Sequence, residues 1–201
     1  MLDICLALLA TLQMVHQHVP DELHQLGGVL FAVLLVVHVL QHKKYFSLQT
    51  RGHRNILRVL GVALMGFILA CSVVMVATGL AMSSWVVGSA GAHGTGFARA
   101  LHLPLVHIAY CAIGIHVGLS VNSVPCSRSC SRLCGVGALI VAVLGIWSFI
   151  ELNYAGYIFG TVGFEFIDPS KPTLLSFFQN MCVLATFALG GVLLRKLSRF
   201  F

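Results

Sequence analysis

The sequence predicts an all-α integral membrane protein built as a bundle of six transmembrane helices. Of its 201 residues, 58% are hydrophobic and only 9% are charged, whereas a soluble domain of this size carries about a quarter of charged residues. The apolar residues form runs close to the length of about 20 residues that a helix needs to cross the hydrocarbon. We therefore expect one membrane domain over residues 1–201, with spans near 3–19, 23–42, 55–82, 100–121, 134–153 and 174–196.

The first and fourth of these spans need a separate argument. MLDICLALLATLQMVHQ, residues 1–17, has no positively charged start and no A-x-A cleavage site, so we interpret it as a retained span rather than as a signal peptide. Pro104 falls in the first turn of the fourth span, where a missing backbone N–H is tolerated. The other four prolines fall in connections, where they are expected: Pro20, Pro125, Pro169 and Pro172.

The distribution of lysine and arginine predicts the orientation. Six spans place both termini and two of the connections on one side of the membrane. The ten positive residues of that side are Lys43, Lys44, Arg51, Arg54, Arg58, Arg128, Arg132, Arg195, Lys196 and Arg199. The other side has only Arg99 and Lys171. Because such an excess marks the cytoplasmic side, we expect a bacterial inner-membrane protein with cytoplasmic termini. The net charge of +6 then reflects orientation and not nucleic-acid binding.

Two of the expected spans carry histidines with the same spacing. His24 and His38 in the second span, and His102 and His116 in the fourth, are each fourteen residues apart. Fourteen residues turn a helix through about 1400°, close to whole turns, and raise it by about 21 Å. Each pair therefore lies on one helix face, near opposite edges of the hydrocarbon. Since the two spans run in the same direction, we expect His24 level with His102 and His38 level with His116.

Two facing imidazoles with a slot between them suit a six-coordinate haem iron. The sequence thus predicts a cytochrome b-like bundle that holds two b-type haems between the second and fourth helices. His24 and His102 would ligate the outer iron, and His38 and His116 the inner iron. Zinc is disfavoured, because ligands about 21 Å apart cannot form one tetrahedral site. A structural role explains one intramembrane histidine, but less readily four with matched spacing.

Glycines and cations near these histidines fit the same interpretation. Glycine lets a flat macrocycle approach the backbone, and four lie close in sequence: Gly27, Gly28, Gly114 and Gly118. Propionate groups need cations at the membrane edge. We expect Arg99 to serve the outer propionates, and Lys43 and Lys44 the inner ones.

Other chemically active residues admit more than one interpretation. His107 is out of register with the pair on its span and fits a hydrogen-bonded core residue, with a quinone contact or a substitute ligand as alternatives. His42 fits an interfacial residue or a propionate partner. Three cysteines on the cytoplasmic side lack C-x-x-C spacing and fit reduced interfacial thiols, with S-palmitoylation as the alternative: Cys126, Cys130 and Cys134.

The outer side contains further histidines and a polar aromatic segment. His16, His18 and His93 fit solvated interfacial residues, with a metal or proton-handling site as the alternative. NYAGYIFGTVGFEFIDPSKP, residues 153–172, is too polar to span. It fits an interfacial segment over the outer haem, either as a docking surface or as a lid.

The order of these features resembles the flavinylation-associated cytochrome family over nearly the whole chain. The resemblance rests on Asp3 before an apolar span, LHQLGGVLFAVLLVVHVLQHKKYF (23–46), ARALHLPLVHIAYCAIGIHVGLSV (98–121) and the aromatic C-terminal part (145–196). It implies a transmembrane b-type cytochrome that works with extracytoplasmic proteins carrying covalent flavin, and it implies the same four ligands. A further histidine often follows the last ligand by four residues in this family, but here that position is Ser120.

We therefore expect an electron-transfer component rather than a stand-alone enzyme. It would pass electrons between a quinol or cytoplasmic-side donor and an extracytoplasmic, flavin-carrying redox partner; whether a quinone also binds stays open. One alternative is the cytochrome b subunit of a quinone-linked complex of the hydrogenase or formate dehydrogenase type. Another is a proton or metal transporter that uses intramembrane histidines. A structural membrane anchor would leave the matched histidines without a role.

Overall fold

The described part of the chain is an assembly of helices. The structure, a computed structural model, describes residues 1–44, 56–87, 95–121, 128–164 and 170–198. Within these ranges every regular element is helical. The elements are α1 (Leu2–Gln13), a 3-10 helix (His16–His18), α2 (Asp21–Gln41), α3 (Ile56–Met82), α4 (Ser84–Val87), α5 (Thr95–Ser120), α6 (Arg128–Glu151), α7 (Tyr154–Ile158) and α8 (Thr173–Leu197).

Five of the described helices are long and apolar enough to cross a membrane. They are Asp21–Gln41, Ile56–Met82, Gly96–Ser120, Cys134–Glu151 and Thr173–Leu197, and they correspond to the predicted second to sixth spans. Helices satisfy every backbone polar group within the segment, which lipid requires. The prediction of an all-α integral membrane protein is confirmed at this level.

The predicted first span is shorter than expected. α1 ends at Gln13 after 12 residues, which gives a helix about 18 Å long, and the chain then turns through the 3-10 helix to Pro20 at the start of α2. The sequence extended this span to residue 19 because Met14 and Val15 continue the apolar run. In the structure both side chains are buried, so their hydrophobicity reflects packing in the core and not a continuing helix.

α5 and α8 form the centre of the described bundle. α5 packs on α8 and α3, while α8 also packs on α6. α1 packs along α2 and touches α8, and α2 makes a smaller contact with α3. Of the residues of α2, all of which are described, none is buried. α2 therefore lies at the edge of the bundle, held mainly by α1.

Small residues bring the two central helices close together. Gly114 and Gly118 lie one turn apart on α5, and both face α8. A Cβ added at Gly114 would lie 2.8 Å from the carbonyl oxygen of Leu184, and one added at Gly118 would collide with the carbonyl of Ala188. Gly191 of α8 faces back at the backbone of α5. Helices in lipid associate through such close backbone contact, so this G-x-x-x-G pattern sets the spacing at the centre of the bundle.

Replacing Gly118 by leucine should destabilise the bundle, because the new side chain must push α5 and α8 apart. Overpacking of this kind costs about 1–3 kcal/mol. We expect a lower thermal midpoint for G118L than for wild type, measured on the purified protein in detergent. Gly66→Leu is the matched control, since a Cβ at Gly66 meets nothing within 4 Å. Equal midpoints for G118L and G66L would contradict the close contact.

The polar aromatic segment after α6 is partly folded into the bundle. Asn153 adopts a left-handed conformation with φ of 49°, which turns the chain out of α6 and into α7. Tyr154 and Tyr157 of α7 are buried, and α7 packs on α5 and α6. This differs from the expected interfacial segment, because the tyrosine rings fill space against α5. Residues 165–169 lie outside the described ranges.

Candidate functional site

The four histidines of matched spacing lie on α2 and α5, and the fold brings them together as two pairs. His24 is in the first turn of α2 and His38 in its last turn. The imidazole of His102 lies within electrostatic range of that of His24, and His116 lies within range of His38. All four side chains are partly buried. The described structure therefore contains two levels of paired imidazoles, at opposite ends of α2.

The two helices that carry these pairs lie near each other without extensive packing. α2 packs on α1 and α3, whereas α5 packs on α3, α7 and α8. No residue of α2, whose whole length is described, is buried.

Thr78 of α3 lies against one ring nitrogen of His102. The Thr78 Oγ1 lies 2.8 Å from the carbonyl oxygen of Val74 and 2.9 Å from His102 Nδ1. With its hydrogen donated to Val74, the hydroxyl oxygen can accept from an Nδ1–H of His102. In that tautomer the Nε2 of His102 keeps its lone pair, which is the state that a metal ligand requires.

Two other histidines of the proposed ligand set each have a buried ring nitrogen that makes no hydrogen bond. These atoms are His24 Nδ1 and His38 Nδ1, and the statement holds among the described residues. A buried polar atom without a partner is costly, and more so in a membrane. Such a cost is expected at a functional site; of the two atoms, His38 Nδ1 has the Asp3 carboxylate beside it.

Asp3 and His42 join His38 at the inner level. Asp3 Oδ1 lies 2.9 Å from His38 Nδ1, although the two atoms are not aligned as a hydrogen bond. The ring centroids of His38 and His42 are 4.7 Å apart. One ligand atom from each of the three residues lies within 4.8 Å of the others. The sequence shows Asp3 as a carboxylate in an apolar segment. Its contact with His38 could not be predicted from the sequence, because it depends on the packing of α1 against α2.

His16 joins His24 at the outer level, contrary to the expectation of a solvated residue. Their ring centroids are 5.0 Å apart, because the 3-10 helix folds His16 back over the start of α2. Burial lowers the pKa of His16 to about 4, and the nearby His24 and His102 act in the same direction. His16 is therefore a neutral imidazole at neutral pH. His93 lies outside the described residues.

His107 faces α7 instead of α2. Its Nδ1–H donates to the carbonyl of Leu103 over 2.7 Å. Its ring stacks on Tyr157 at 4.4 Å, with an interplanar angle of 10°, and meets Tyr154 edge-on. These contacts give it the geometry of a hydrogen-bonded core residue, the first of the interpretations that the sequence allowed.

A buried polar network continues from α7 into the core. The hydroxyl of Tyr154 donates to the side-chain oxygen of Asn180, and that of Tyr110 donates to the backbone oxygen of Asn180 over 3.0 Å. The Asn180 amide donates to the carbonyl of Ser176, and Thr11 Oγ1 lies 2.9 Å from the Tyr110 oxygen. This network ties α1, α5, α7 and α8 together. Sequence analysis missed it, because its members lie far apart in the sequence and meet only through helix packing.

The expected cofactor glycines serve other contacts. A Cβ at Gly28 would lie 3.2 Å from Gln13 Nε2 of α1, and Gly114 faces α8 as described above. Both therefore allow close helix packing, which differs from the expectation that they line a slot between α2 and α5. The reason is helix rotation: Gly28 faces α1, and Gly114 faces α8.

The predicted cations and cysteines lie at the ends of the helices. Arg99 is exposed near the start of α5, and Lys43 and Lys44 are exposed just after α2. Cys134 is an exposed cysteine on α6. Cys126 and the side chain of Cys130 are outside what the structure describes.

Comparisons with protein-family models, with curated proteins and with solved structures found no match. The fold and the site together define an α-helical integral membrane protein with paired histidines at two levels of the same two helices. An ionisable residue within a membrane helix is a functional candidate by default, and here four of them are arranged in pairs.

Proposed function

We propose that this protein is a di-haem b-type cytochrome that transfers electrons across the membrane. His24 and His102 would hold the outer haem iron, and His38 and His116 the inner one. The observation that carries the proposal is the matched fourteen-residue spacing of these histidines on α2 and α5, supported by electrostatic interaction of His24 with His102 and of His38 with His116. Equal spacing along two helices provides two ligand pairs, whereas a single metal ion would need one cluster.

The chemistry of the imidazoles fits an axial role. In the tautomer in which His102 Nδ1 donates to Thr78, Nε2 keeps a lone pair, and a hydrogen bond to the other ring nitrogen orients a metal-bound histidine. His24 keeps a buried Nδ1 without a hydrogen bond, and His38 Nδ1 has the Asp3 carboxylate beside it. Neutral imidazoles as ligands add no net charge to the membrane interior, which lipid would oppose.

Haem supplies reversible one-electron chemistry when it is bound. The protein's own contribution would be to supply the two ligands of each iron from separate helices, and to hold the two levels about 21 Å apart along the helix axis. The apolar residues of α2 and α5 exclude water from this region. Arg99 at one end, and Lys43 and Lys44 at the other, would compensate the propionates at the membrane edges.

The partners and the orientation form part of the same proposal. A quinol or a cytoplasmic-side donor would reduce the inner centre, and an extracytoplasmic flavoprotein would oxidise the outer one. The flavoprotein rests on the family resemblance, and the cytoplasmic position of both termini rests on the excess of positive residues. The membrane would be the bacterial inner membrane. The chain would act as an electron-transfer component of a larger pathway. Quinol oxidation by the isolated chain would instead favour a subunit of a quinone-linked complex.

A metal transporter is the second candidate, and a specific observation favours it. Asp3, His38 and His42 place three ligand atoms within 4.8 Å of one another, and two histidines with one carboxylate suit several divalent transition metals. In that case His38 would bind the transported ion, and His24 and His102 would have no haem to hold.

The test of the proposed function is a dithionite-reduced minus oxidised absorbance spectrum of the purified protein, with haem quantified per chain. We expect two low-spin b-type haems per chain, because the chain offers two complete axial pairs. One haem would mean that one of the pairs has another role. Absence of haem from protein made in cells supplied with a haem precursor would contradict the proposal and move the transporter to first place.

A further inference from the structure

The two histidine levels differ in the group that stands beside an imidazole. At the outer level, His102 Nδ1 lies 2.9 Å from the neutral hydroxyl oxygen of Thr78. At the inner level, His38 Nδ1 lies 2.9 Å from a carboxylate oxygen of Asp3. A carboxylate carries charge and a hydroxyl does not, so the two levels differ in electrostatic environment.

The position of Asp3 is determined by two contacts along α1. At the far end of α1, Gln13 Nε2 donates to the backbone oxygen of His24 over 3.0 Å. At the near end, Asp3 meets His38. α1 therefore runs antiparallel to α2, with one contact at each histidine level. Because the Gln13 contact sets the register of the two helices, the Asp3 contact follows from helix packing and not from a loose chain end.

We propose that Asp3 is a positioning residue of the inner centre and lowers the midpoint potential of the haem held by His38 and His116. This inference rests on the proposed function. A carboxylate beside the Nδ1–H of an iron-bound imidazole strengthens electron donation to the iron and stabilises its ferric state. The effect acts through charge, so it requires proximity but no ideal hydrogen-bond geometry. A lower inner potential favours electron flow towards the outer centre.

Other charged and titratable groups surround the two levels. The ring of His42 lies tilted against that of His38, and both His42 and Asp3 act electrostatically on His116. At the outer level, Asp21 acts electrostatically on His24 and His16. Asp3 is thus the carboxylate that the described structure places against an imidazole of the proposed ligand set.

The experiment is a potentiometric titration of the purified protein at one fixed pH. The variants are Asp3→Asn, which removes the charge, and Asp3→Glu, which restores it. Glu151→Gln is the matched control, because Glu151 is exposed at the end of α6, which packs on α8 and α7 but has no such contact with α2. His38→Ala identifies the inner component, since it should retain only the outer haem.

We expect D3N to keep both haems and to shift one midpoint potential upwards. The shifted component should be the one that H38A lacks. The midpoint potentials of D3E should stay close to those of wild type, and those of E151Q should be unchanged. An unshifted D3N, a D3E that shifts as much as D3N, or a shift of the outer component would overturn the inference and leave the proposed function intact. Zinc bound at Asp3, His38 and His42, detected by metal analysis and lost in D3N, would also overturn it. A wild type without haem would instead reject both proposals.

Discussion

Replacing His102 by alanine is expected to lower the haem content from two per chain to one. His102 supplies one of the two imidazoles at the outer level, and its Thr78 contact prepares the ring for ligation. His38→Ala should likewise remove the inner haem alone. Because the two pairs lie at opposite ends of α2, the loss of one should leave the other, and the double variant H38A/H102A should contain none. The measurement is haem quantified per chain from the reduced minus oxidised spectrum.

Two matched variants control for the mere loss of a histidine. His42→Ala removes an exposed imidazole one turn beyond His38, and His18→Ala removes one whose Nε2 lies 3.0 Å from the Ser176 hydroxyl. Both should retain two haems. Retention of two haems in H102A would contradict the assigned outer pair, and H16A/H102A would then test His16, whose ring lies 5.0 Å from that of His24.

Electron transfer across a membrane should fall to the rate of protein-free vesicles when either histidine pair is broken. The two proposed centres are about 21 Å apart along the helix axis, and apolar side chains fill the rest of the span. One remaining centre therefore leaves half of the path without a redox group. The measurement uses proteoliposomes that contain trapped ferricyanide and receive a membrane-impermeant reductant outside. Wild type should reduce the trapped ferricyanide, whereas H38A and H102A should not.

The controls of the vesicle experiment separate electron transfer from leakage and from transport. H42A should reduce trapped ferricyanide at the wild-type rate, and a vesicle-impermeant dye should stay inside in every sample. Transfer by H38A at the wild-type rate would show that a single centre suffices and would contradict the two-level path. Zinc uptake by the same vesicles, abolished in both H38A and H42A, would support the transporter alternative.

The sequence by itself determined the class of the protein and the levels of its histidines. Lipid offers no hydrogen bonds to the backbone, so an apolar run of about 20 residues has to be a helix. The fourteen-residue spacing then places His24 and His38 on one face without any knowledge of neighbours. Both conclusions depend only on backbone hydrogen bonding and helix geometry within one segment. The five membrane-length helices agree with the conclusion about the class of the protein.

The tertiary structure alone decided which groups meet those histidines. Helix rotation turned Gly114 towards α8 and His107 towards α7. Because α1 ends at Gln13, the 3-10 helix that follows places the His16 ring beside that of His24. The antiparallel register of α1 and α2 brought Asp3 to His38. Periodicity specifies which residues share a face, but it does not specify which helix that face meets, because this depends on packing between residues that are distant in sequence.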